Sequence, residues 1–571
     1  MKIFVAISLL ALLILLIQNK YKASVLFTGL ACIYFLLDLL SFEKLASNYV
    51  NSSLLTLILL LLVSIALEKT VLMDYVSKFV ITKNYKLSFL KLGLVTSISS
   101  AFLNNTAVVA SLMTVIKNNK HHLPSKLLIP LSYFAIFGGT MTLIGTSTNL
   151  LVNSFLITNG HESLKIFDFF YVGLFVTIIG ITTLYFCRNL LPKYENIVPQ
   201  IDEYIIEVKV LASSKLISKS IKENGLRNLE YLFLIKIVRN GKIISPVTPN
   251  EIIEKNDKLL FSGDIKHLEV LKKFDGLVLV DNLDVENLNM VDTIITPQST
   301  LIGKKVKEAN FRSKFDASII SLKRGSLNIS RIGEEILQAG DRLVLTIGSD
   351  FNNRDNINKN FYVLSNIKQN EKLSMNKSIF ITLGFIFSIA ISALGYFSLL
   401  KTLLIYLISL LLFRIITIEN IKRRFPYDIF MIIGSSLAIS NVLISSGLAN
   451  DFANFITVTF GSFGVYGSFI GIYLLTFILT ELITNNAAAA LSFPIAYATA
   501  VGLDVNVLPF VFAVAFGASA SFMLPYGYQT NLMVSSLGGY KVQDFIKVGW
   551  IISLVYSLTV IISIPLFFSF Y

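Results

Sequence analysis

The sequence predicts an all-α polytopic membrane protein: an inverted repeat of about five spans plus a re-entrant hairpin in each half, with two small α/β cytoplasmic domains inserted between the halves. Three observations carry this. Mean hydropathy is +0.69 and only 15% of residues are charged, against about 25% in soluble proteins. Apolar stretches crowd residues 3–192 and 376–571, while the sequence between them is charged and alternating. Three short motifs of the first half recur in the second, in the same order and at nearly constant offset.

The formal charge of +13 invites a nucleic-acid reading, which its distribution removes. Residues 194–371 hold 25 basic and 24 acidic residues, so the excess sits almost wholly in the apolar regions. Basic residues in the short loops of a hydrophobic chain follow the positive-inside rule, and no nucleic-acid partner is expected. Cys32 and Cys187 each lie inside an apolar stretch, which excludes a disulfide framework.

Taken in order, Ile3 to Ile17 reads as a retained first helix. No small-x-small cleavage site precedes Gln18-Asn19-Lys20, and another span follows at once. Further spans fit 23–41, 53–68 and 166–187, with a broken helix near 128–157. The second half predicts spans at 378–396, 402–418, 428–446 and 544–569, with a broken helix near 507–537. Segments 88–116 and 468–498 are too polar in the middle for plain spans and read as re-entrant hairpins. The domains are therefore 1–193, 194–278, 279–372 and 373–571, the outer two membrane repeats and the inner two soluble.

The repeat rests on particular residues. Asp168-Phe-Phe-Tyr-Val-Gly173 recurs as Asp544-Phe-Ile-Lys-Val-Gly549, an offset of 376. Ser100-x-x-x-Asn104-Asn105-Thr106-Ala107 recurs as Thr480-x-x-x-Thr484-Asn485-Asn486-Ala487, an offset of 380, and Thr148-Asn149 as Thr530-Asn531, an offset of 382. Five crossings per half is an odd number, so halves joined by a region on one side must point opposite ways. Placing the insert in the cytoplasm leaves twenty Lys and Arg in inside loops, Lys20, Lys78, Lys126, Lys372 and Arg423 among them. Only Lys2, Lys44, Lys165 and Lys401 fall outside. That bias predicts a multi-pass protein of the cell (inner) membrane with both termini outside.

The insert is itself a tandem repeat. Ser214 to Arg227 matches Ser299 to Arg312 at an offset of 85, and Asn256 to Phe261 matches Gly340 to Leu345 at 84. Each copy predicts strand, short helix, strand, turn, helix and strand.

The polar motifs at membrane depth carry the chemistry. Unwound backbone there leaves N–H and C=O groups that protein or a wet cavity must satisfy. Asn104-Asn105-Thr106, Gly145-Thr146-Ser147-Thr148-Asn149, Thr484-Asn485-Asn486 and Gly527-Tyr528-Gln529-Thr530-Asn531 provide partners and bends. Carbonyl and hydroxyl oxygens at such breaks suit Na⁺, and N–H groups at half-helix N-termini suit an anion. No Lys, Arg or His lies in these motifs, so an anion's charge must be offset by bound cations and helix dipoles. Paired across an inverted repeat, the motifs predict a secondary transporter rather than helices glued by small residues. Glu481 has Ala101 as its counterpart, so a carboxylate that holds the hairpin is favoured over a proton carrier. His121-His122 reads as a solvated loop, since adjacent histidines cannot face one metal site on a helix. Asp38 and Glu68 read as capped or snorkelled residues at span ends.

At these motifs the chain resembles the divalent-anion/sodium symporter family of the ion-transporter superfamily. The supporting phrases are Ile65 to Thr70, Ser125 to Tyr133, and Gly138-Gly-Thr140 leading into Gly145 to Asn149. The resemblance implies one Na⁺ near Ser100, Asn105 and Gly145 and a second near Thr480, Asn485 and Gly527. It implies an anion between the tips, contacted by Asn104, Asn105, Thr106, Thr484, Asn485 and Asn486, with Thr146, Ser147, Tyr528 and Gln529 nearby. The family carries Ser-Asn-Thr tips and proline-containing bends. The tips here depart from that pattern and the bends lack the prolines, which looks like the sulfate-transporting branch. The resemblance further implies a homodimer with an elevator-type movement.

The insert looks like two TrkA-C (RCK-C) modules, implying a possible small regulatory ligand or a dimerisation role; no G-x-G-x-x-G accompanies them. The resulting expectation is Na⁺-coupled uptake of a divalent anion, sulfate first and a dicarboxylate second, with no organic cofactor. A ligand-gated ion channel is the alternative of another class. A membrane enzyme lacks any catalytic constellation in the sequence.

Overall fold

The computed structural model describes residues 1–571 apart from 19–20, 72–78, 195–204, 227–228, 230–231, 245–246, 264–270, 272, 280–289, 297–298, 330–331, 349, 352–353, 355, 365–372 and 461–462. Lys20, Lys78 and Lys372 of the loop count, and Arg227 of the insert motif, lie outside the described residues. The chain divides into two compact units. One is Met1–Lys193, Lys372–Val534 and Val542–Tyr571; the other is Tyr194–Glu371 and Ser535–Lys541.

In the first unit, the first half forms α1 (Lys2–Gln18), α2 (Ala23–Leu36), α3 (Phe42–Tyr49), α4 (Ser52–Glu68), α5 (Tyr85–Phe102), α6 (Asn105–Asn118), α7 (Leu128–Gly139), α8 (Ser147–Thr158) and α9 (Phe170–Cys187). The second half forms α10 (Met375–Ala393), α11 (Leu399–Leu412), α12 (Ile418–Arg424), α13 (Tyr427–Ser445), α14 (Leu448–Phe460), α15 (Gly464–Leu482), α16 (Asn485–Gly502), α17 (Val507–Ser519), α18 (Gln529–Gly538) and α19 (Val542–Phe567). Six of the described helices are long and apolar enough to cross a membrane: Phe42–Leu67, Phe170–Leu190 and four in the second half. This is a multi-pass membrane protein.

Short polar residues start these helices. Asn51 Oδ1 accepts from Ser53 N at 2.8 Å, and Asn84 Oδ1 from Lys86 N at 3.0 Å. All twelve residues of α7 are buried, so it forms the centre of its half, with α5 packed on it. In the second half, α15 packs on α17 in the same way. The halves exchange partners: α2 lies against α13, and α4 against α11.

The Gly173 and Gly549 repeat has a steric cause. A Cβ on Gly173 would stand 2.6 Å from Met141 Cα, and one on Gly549 2.2 Å from the Phe522 carbonyl oxygen. Each last span thus presses its glycine onto the chain just after the first segment of its broken helix.

The second unit contains two five-stranded antiparallel sheets. The first has the order β3-β2-β4-β1-β5, from β1 (Ile205–Val210), β2 (Leu232–Arg239), β3 (Lys242–Ile244), β4 (Lys258–Gly263) and β5 (Leu277–Leu279). The second reads β8-β7-β9-β6-β10, the same topology, from β6 (Met290–Ile295), β7 (Ala317–Arg324), β8 (Leu327–Ile329), β9 (Arg342–Ile347) and β10 (Phe361–Val363). Bulges recur at Leu234/Lys236 and Ile319/Ser321. Each copy has its own core, with Val208, Ile237 and Leu259 in one and Val291, Leu322 and Leu343 in the other. The expected turn forms at Asn240 and Gly241, both with positive φ, as a two-residue hairpin between right-twisted strands favours.

Among the described residues, the helix expected before the last matched strand of each copy does not form. In the first copy, Pro249 removes a donor and Ile252 bridges Ser220 instead; in the second, only the three-residue turn Ile332–Glu334 stands there. Both copies follow their first strand with turns through a residue of positive φ, Ser218 at 66° and Gly303 at 80°; the second copy then forms the five-residue helix Phe311–Phe315, whose counterpart in the first copy falls mostly outside the described residues.

One ion-pair arrangement occurs twice. Arg239 grips Asp257 through Nε and Nη2, both at 2.9 Å, and donates to the Ile252 carbonyl. Arg324 grips Asp341 at 2.7 and 2.9 Å and donates to the Ile336 carbonyl. Burial pushes the Asp341 carboxyl up and Arg324 pulls it down. Arg324→Ala should destabilise this unit by about 3–5 kcal/mol, because a buried carboxylate loses its cation. The Asp341 carboxyl then rises further. The folded copy holds a proton that the unfolded chain releases, so stability falls as pH rises through that window. The melting deficit against wild type should shrink from neutral to mildly acidic pH; a deficit independent of pH would refute this account.

Ser535–Lys541 belong to this unit through a related pair. Arg342 bonds Asp292 at 2.6 Å and donates from Nη1 to the Leu537 carbonyl, in that short stretch, at 3.3 Å.

Candidate functional site

Four helices begin at the four polar motifs: α6 at Asn105, α8 at Ser147, α16 at Asn485 and α18 at Gln529. Two extended residues turn each hairpin, Leu103 and Asn104 in the first and Ile483 and Thr484 in the second. Asn104 Oδ1 accepts from Thr106 N at 2.9 Å and so starts α6. The bends are held alike: Asn149 Nδ2 donates to the Thr142 carbonyl, and Asn531 Nδ2 to the Ser521 carbonyl, each at 2.9 Å.

The tips of each hairpin meet the bend of the other half. Asn105 Nδ2 donates to Tyr528 Oη at 2.8 Å, and Thr106 Oγ1 to Gln529 Oε1 at 3.3 Å. Reciprocally, Asn485 Nδ2 donates to Thr148 Oγ1 at 3.0 Å, and Ser147 Oγ to Asn486 Oδ1 at 3.0 Å. Thr146 Oγ1 lies 3.4 Å from Tyr528 Oη, which links the two bends directly. The helix N-termini therefore meet in two pairs, α6 with α18 and α8 with α16. Each end carries roughly +0.5 of an elementary charge. No side chain of Thr146 or Thr484 caps α8 or α16, which leaves first-turn N–H groups for another acceptor.

The residues expected around the first cation come together. Ser100 Oγ donates to Asn105 Oδ1 at 2.5 Å, both buried. A Cβ on Gly139 would lie 2.6 Å from the Asn105 amide atoms, and one on Gly145 2.4 Å from the Gly139 carbonyl oxygen. Ser100, Asn105 and Gly145 thus gather at the C-terminal end of α7. These are neutral oxygens beside half-helix carbonyls, a donor set that fits a monovalent cation. The second set gathers only in part. Gly527 packs against the Thr480 carbonyl oxygen, at 2.7 Å from its would-be Cβ, whereas the Asn485 amide turns to Thr148.

Sequence reading passed over Ser132, whose Oγ donates to Thr530 Oγ1 at 2.8 Å and Asn531 Oδ1 at 2.6 Å. A serine in the otherwise apolar α7 was the available signal. It also passed over Gly139, whose role depends on what packs on it. Glu481 accepts from Phe522, Met523 and Leu524 N at 2.9, 3.0 and 3.1 Å, so the carboxylate holds the second bend. In the first half, the Ala101 carbonyl instead accepts from Thr142 Oγ1 at 2.5 Å. His122 Nε2 lies 2.7 Å from the Thr82 carbonyl oxygen, and no metal-holding cluster of three His, Cys, Asp or Glu occurs among the described residues.

Comparison with known proteins gives these features a context. The family model described as "Citrate transporter" (CitMHS) matches residues 4–517. A Chlamydomonas reinhardtii protein named for regulation of the sulfur deprivation response is 28% identical, over 91% of this chain and 94% of its own length. An uncharacterized transporter of Synechocystis is 27% identical, over 94% of this chain and 92% of its own. Sodium/sulfate cotransporter 1 of Chlamydomonas reinhardtii is 27% identical over 61% of this chain, which spans 41% of that relative.

Proposed function

This chain belongs to the citrate transporter family, within the divalent-anion/sodium symporters, and from that premise we propose that it is a secondary transporter coupling Na⁺ to uptake of a small divalent anion, sulfate first. The carrying observation is the pairwise meeting of four helix N-termini at uncharged polar tips. Together these ends carry roughly the charge of a dianion with opposite sign, without a fixed side-chain cation. The anion lies among Asn104, Thr106, Thr484 and Asn486, with Thr146, Ser147, Tyr528 and Gln529 around it. One Na⁺ lies by Ser100, Asn105 and Gly145, the other by Thr480, Asn485 and Gly527. The relatives named as sodium/sulfate cotransporters support both the ion and the anion.

The halves form an inverted repeat with two re-entrant hairpins in the cell membrane, the homodimer working by elevator-type movement. The inserted copies are TrkA-C-like, cytoplasmic and open to a small regulatory ligand; their shared topology supports one ancestral module. A carboxylate substrate is the second reading, favoured by the family's description.

Uptake of radiolabelled sulfate into liposomes, with and without an inward Na⁺ gradient, tests this. Na⁺-dependent uptake insensitive to succinate and citrate is expected. Inhibition by either carboxylate moves the assignment to carboxylates, and no saturable uptake of any of the three overturns it.

A further inference from the structure

The two halves differ at one position beside the proposed cation places. Gly139 ends α7, and its counterpart at the bend offset of 382 is Ser521. The offset holds in space as well as in sequence. Gly173 presses on Met141 and Gly549 on Met523, and Gly145 faces Gly139 as Gly527 faces Ser521. The exchange decides what lies there. A Cβ on Gly139 would stand 2.6 Å from the Asn105 amide atoms, so that amide fits only because residue 139 is a glycine. Residue 521 does carry a Cβ. The Asn485 amide, which would fill the matching place, instead meets Thr148 Oγ1 at 3.0 Å.

The Ser521 hydroxyl takes up that space. Its oxygen is the atom nearest to a would-be Cβ of Gly527; the Thr480 carbonyl oxygen follows at 2.7 Å, and Ser521 Cβ only at 3.2 Å. The hydroxyl is thus aimed at the bare face of Gly527, where a carbonyl oxygen converges on the same spot. Ser521 is fully buried, and its hydroxyl forms no hydrogen bond. Its polar neighbour is the Glu481 carboxylate, already engaged by three backbone N–H groups. A buried hydroxyl left in this way calls for a water or an ion. Thr96, Ser440, Ser468, Ser492 and Ser553 are also unpartnered, but they lie inside helices, where a hydroxyl turns readily onto the carbonyl one turn back. Of these hydroxyls, that of Ser521 alone stands in unwound chain. Two oxygens converging beside a carboxylate favour a cation over an anion, and the first half has Ala101 in place of that carboxylate.

We infer that the Ser521 hydroxyl is a further oxygen ligand of the second coupling cation, standing with the Thr480 carbonyl oxygen against Gly527 at the place the Asn105 amide fills in the first half. This rests on the Na⁺-coupled reading above and adds to Thr480, Asn485 and Gly527 a residue outside the four polar motifs. The two cation places are therefore built differently, the first around a hairpin amide and the second around a hydroxyl of the bend.

Ser521→Ala tests it, since only the hydroxyl is lost. The affinity for one Na⁺ should fall about tenfold, the value of one polar group on a charged partner. The Na⁺ concentration for half-maximal sulfate uptake should therefore rise, while the sulfate half-saturation at saturating Na⁺ should move less than twofold. The rise in melting temperature of purified protein on adding Na⁺, read without sulfate, should likewise need more Na⁺. In Na⁺-free buffer the variant should melt no lower than wild type, because the hydroxyl it loses has no hydrogen bond to give up. An unchanged Na⁺ requirement in the melting experiment overturns the inference, in favour of a serine that holds a water. A lowered melting temperature without Na⁺, with a changed Na⁺ requirement in uptake alone, overturns it in favour of a structural serine. Wild-type protein indifferent to Na⁺ in both readouts overturns the coupling reading itself, a failure recognisable before any variant is made.

Discussion

Asn105→Ala and Asn485→Ala are each expected to reduce Na⁺-coupled uptake to background while leaving protein that folds and purifies. The residues occupy equivalent places, at the first turns of α6 and α16, and each reaches into the other half. Alanine removes both the proposed cation-facing oxygen and the amide that ties hairpin to bend. The cost to stability should nevertheless differ. Asn105 is 4% exposed and serves two partners, so its loss strands the Ser100 hydroxyl and leaves the Tyr528 hydroxyl with the long contact to Thr146 at 3.4 Å, at about 1–3 kcal/mol. Asn485 is half-buried with a single bond to Thr148, and its loss should cost about 1 kcal/mol or less. Uptake in liposomes and thermal melting of the same preparations measure the two effects separately. Wild-type uptake by either variant would sink the site assignment.

Gly145→Ala and Gly527→Ala are the second pair, and here the first half should suffer more. The new methyl group of Gly145→Ala would lie 2.4 Å from the Gly139 carbonyl oxygen, a backbone atom that cannot move without shifting the end of α7. That displaces Gly139, against which the Asn105 amide is packed, so uptake should vanish with a stability loss of about 1–3 kcal/mol. For Gly527→Ala the nearest atom, at 2.2 Å, is the Ser521 hydroxyl, which can rotate aside; the Thr480 carbonyl at 2.7 Å cannot. A partial loss of uptake is expected. Gly502→Ala, with open space around the added methyl group, is the control and should melt no lower than wild type. Melting and uptake of Gly145→Ala equal to that control would contradict the packing argument.

These contrasts mark how far one-dimensional information reaches. Hydropathy and spacing located the longer helices of both halves, because a membrane demands long apolar stretches, and a break in one must be marked by Gly, Asn, Ser or Thr; the short or amphipathic α3, α12 and α14 were missed. The breaks at Asn104, Thr146, Thr484 and Tyr528 were legible for that reason, as was the tandem repeat of the insert through its matched offsets. The insert's helices were less legible. Its apolar residues are short runs that fit strand, turn or helix equally, and tertiary pairing such as Ser220 with Ile252 decided between them.

What the sequence determined by itself was the class of protein, the two halves, and the set of polar residues from which a site could be made. Each of these is written in local composition or in self-similarity. Which atom faces which was decided only by the tertiary structure. Asn105 meets Tyr528 across 423 positions and Asn485 meets Thr148 across 337, and neither spacing carries a periodicity that could announce it. The same holds for Gly139 and Ser132, which became meaningful once α7 was packed against α5 and the opposite bend. The orientation of an amide depends on the partners at both of its ends, and those partners exist only after the chain has folded.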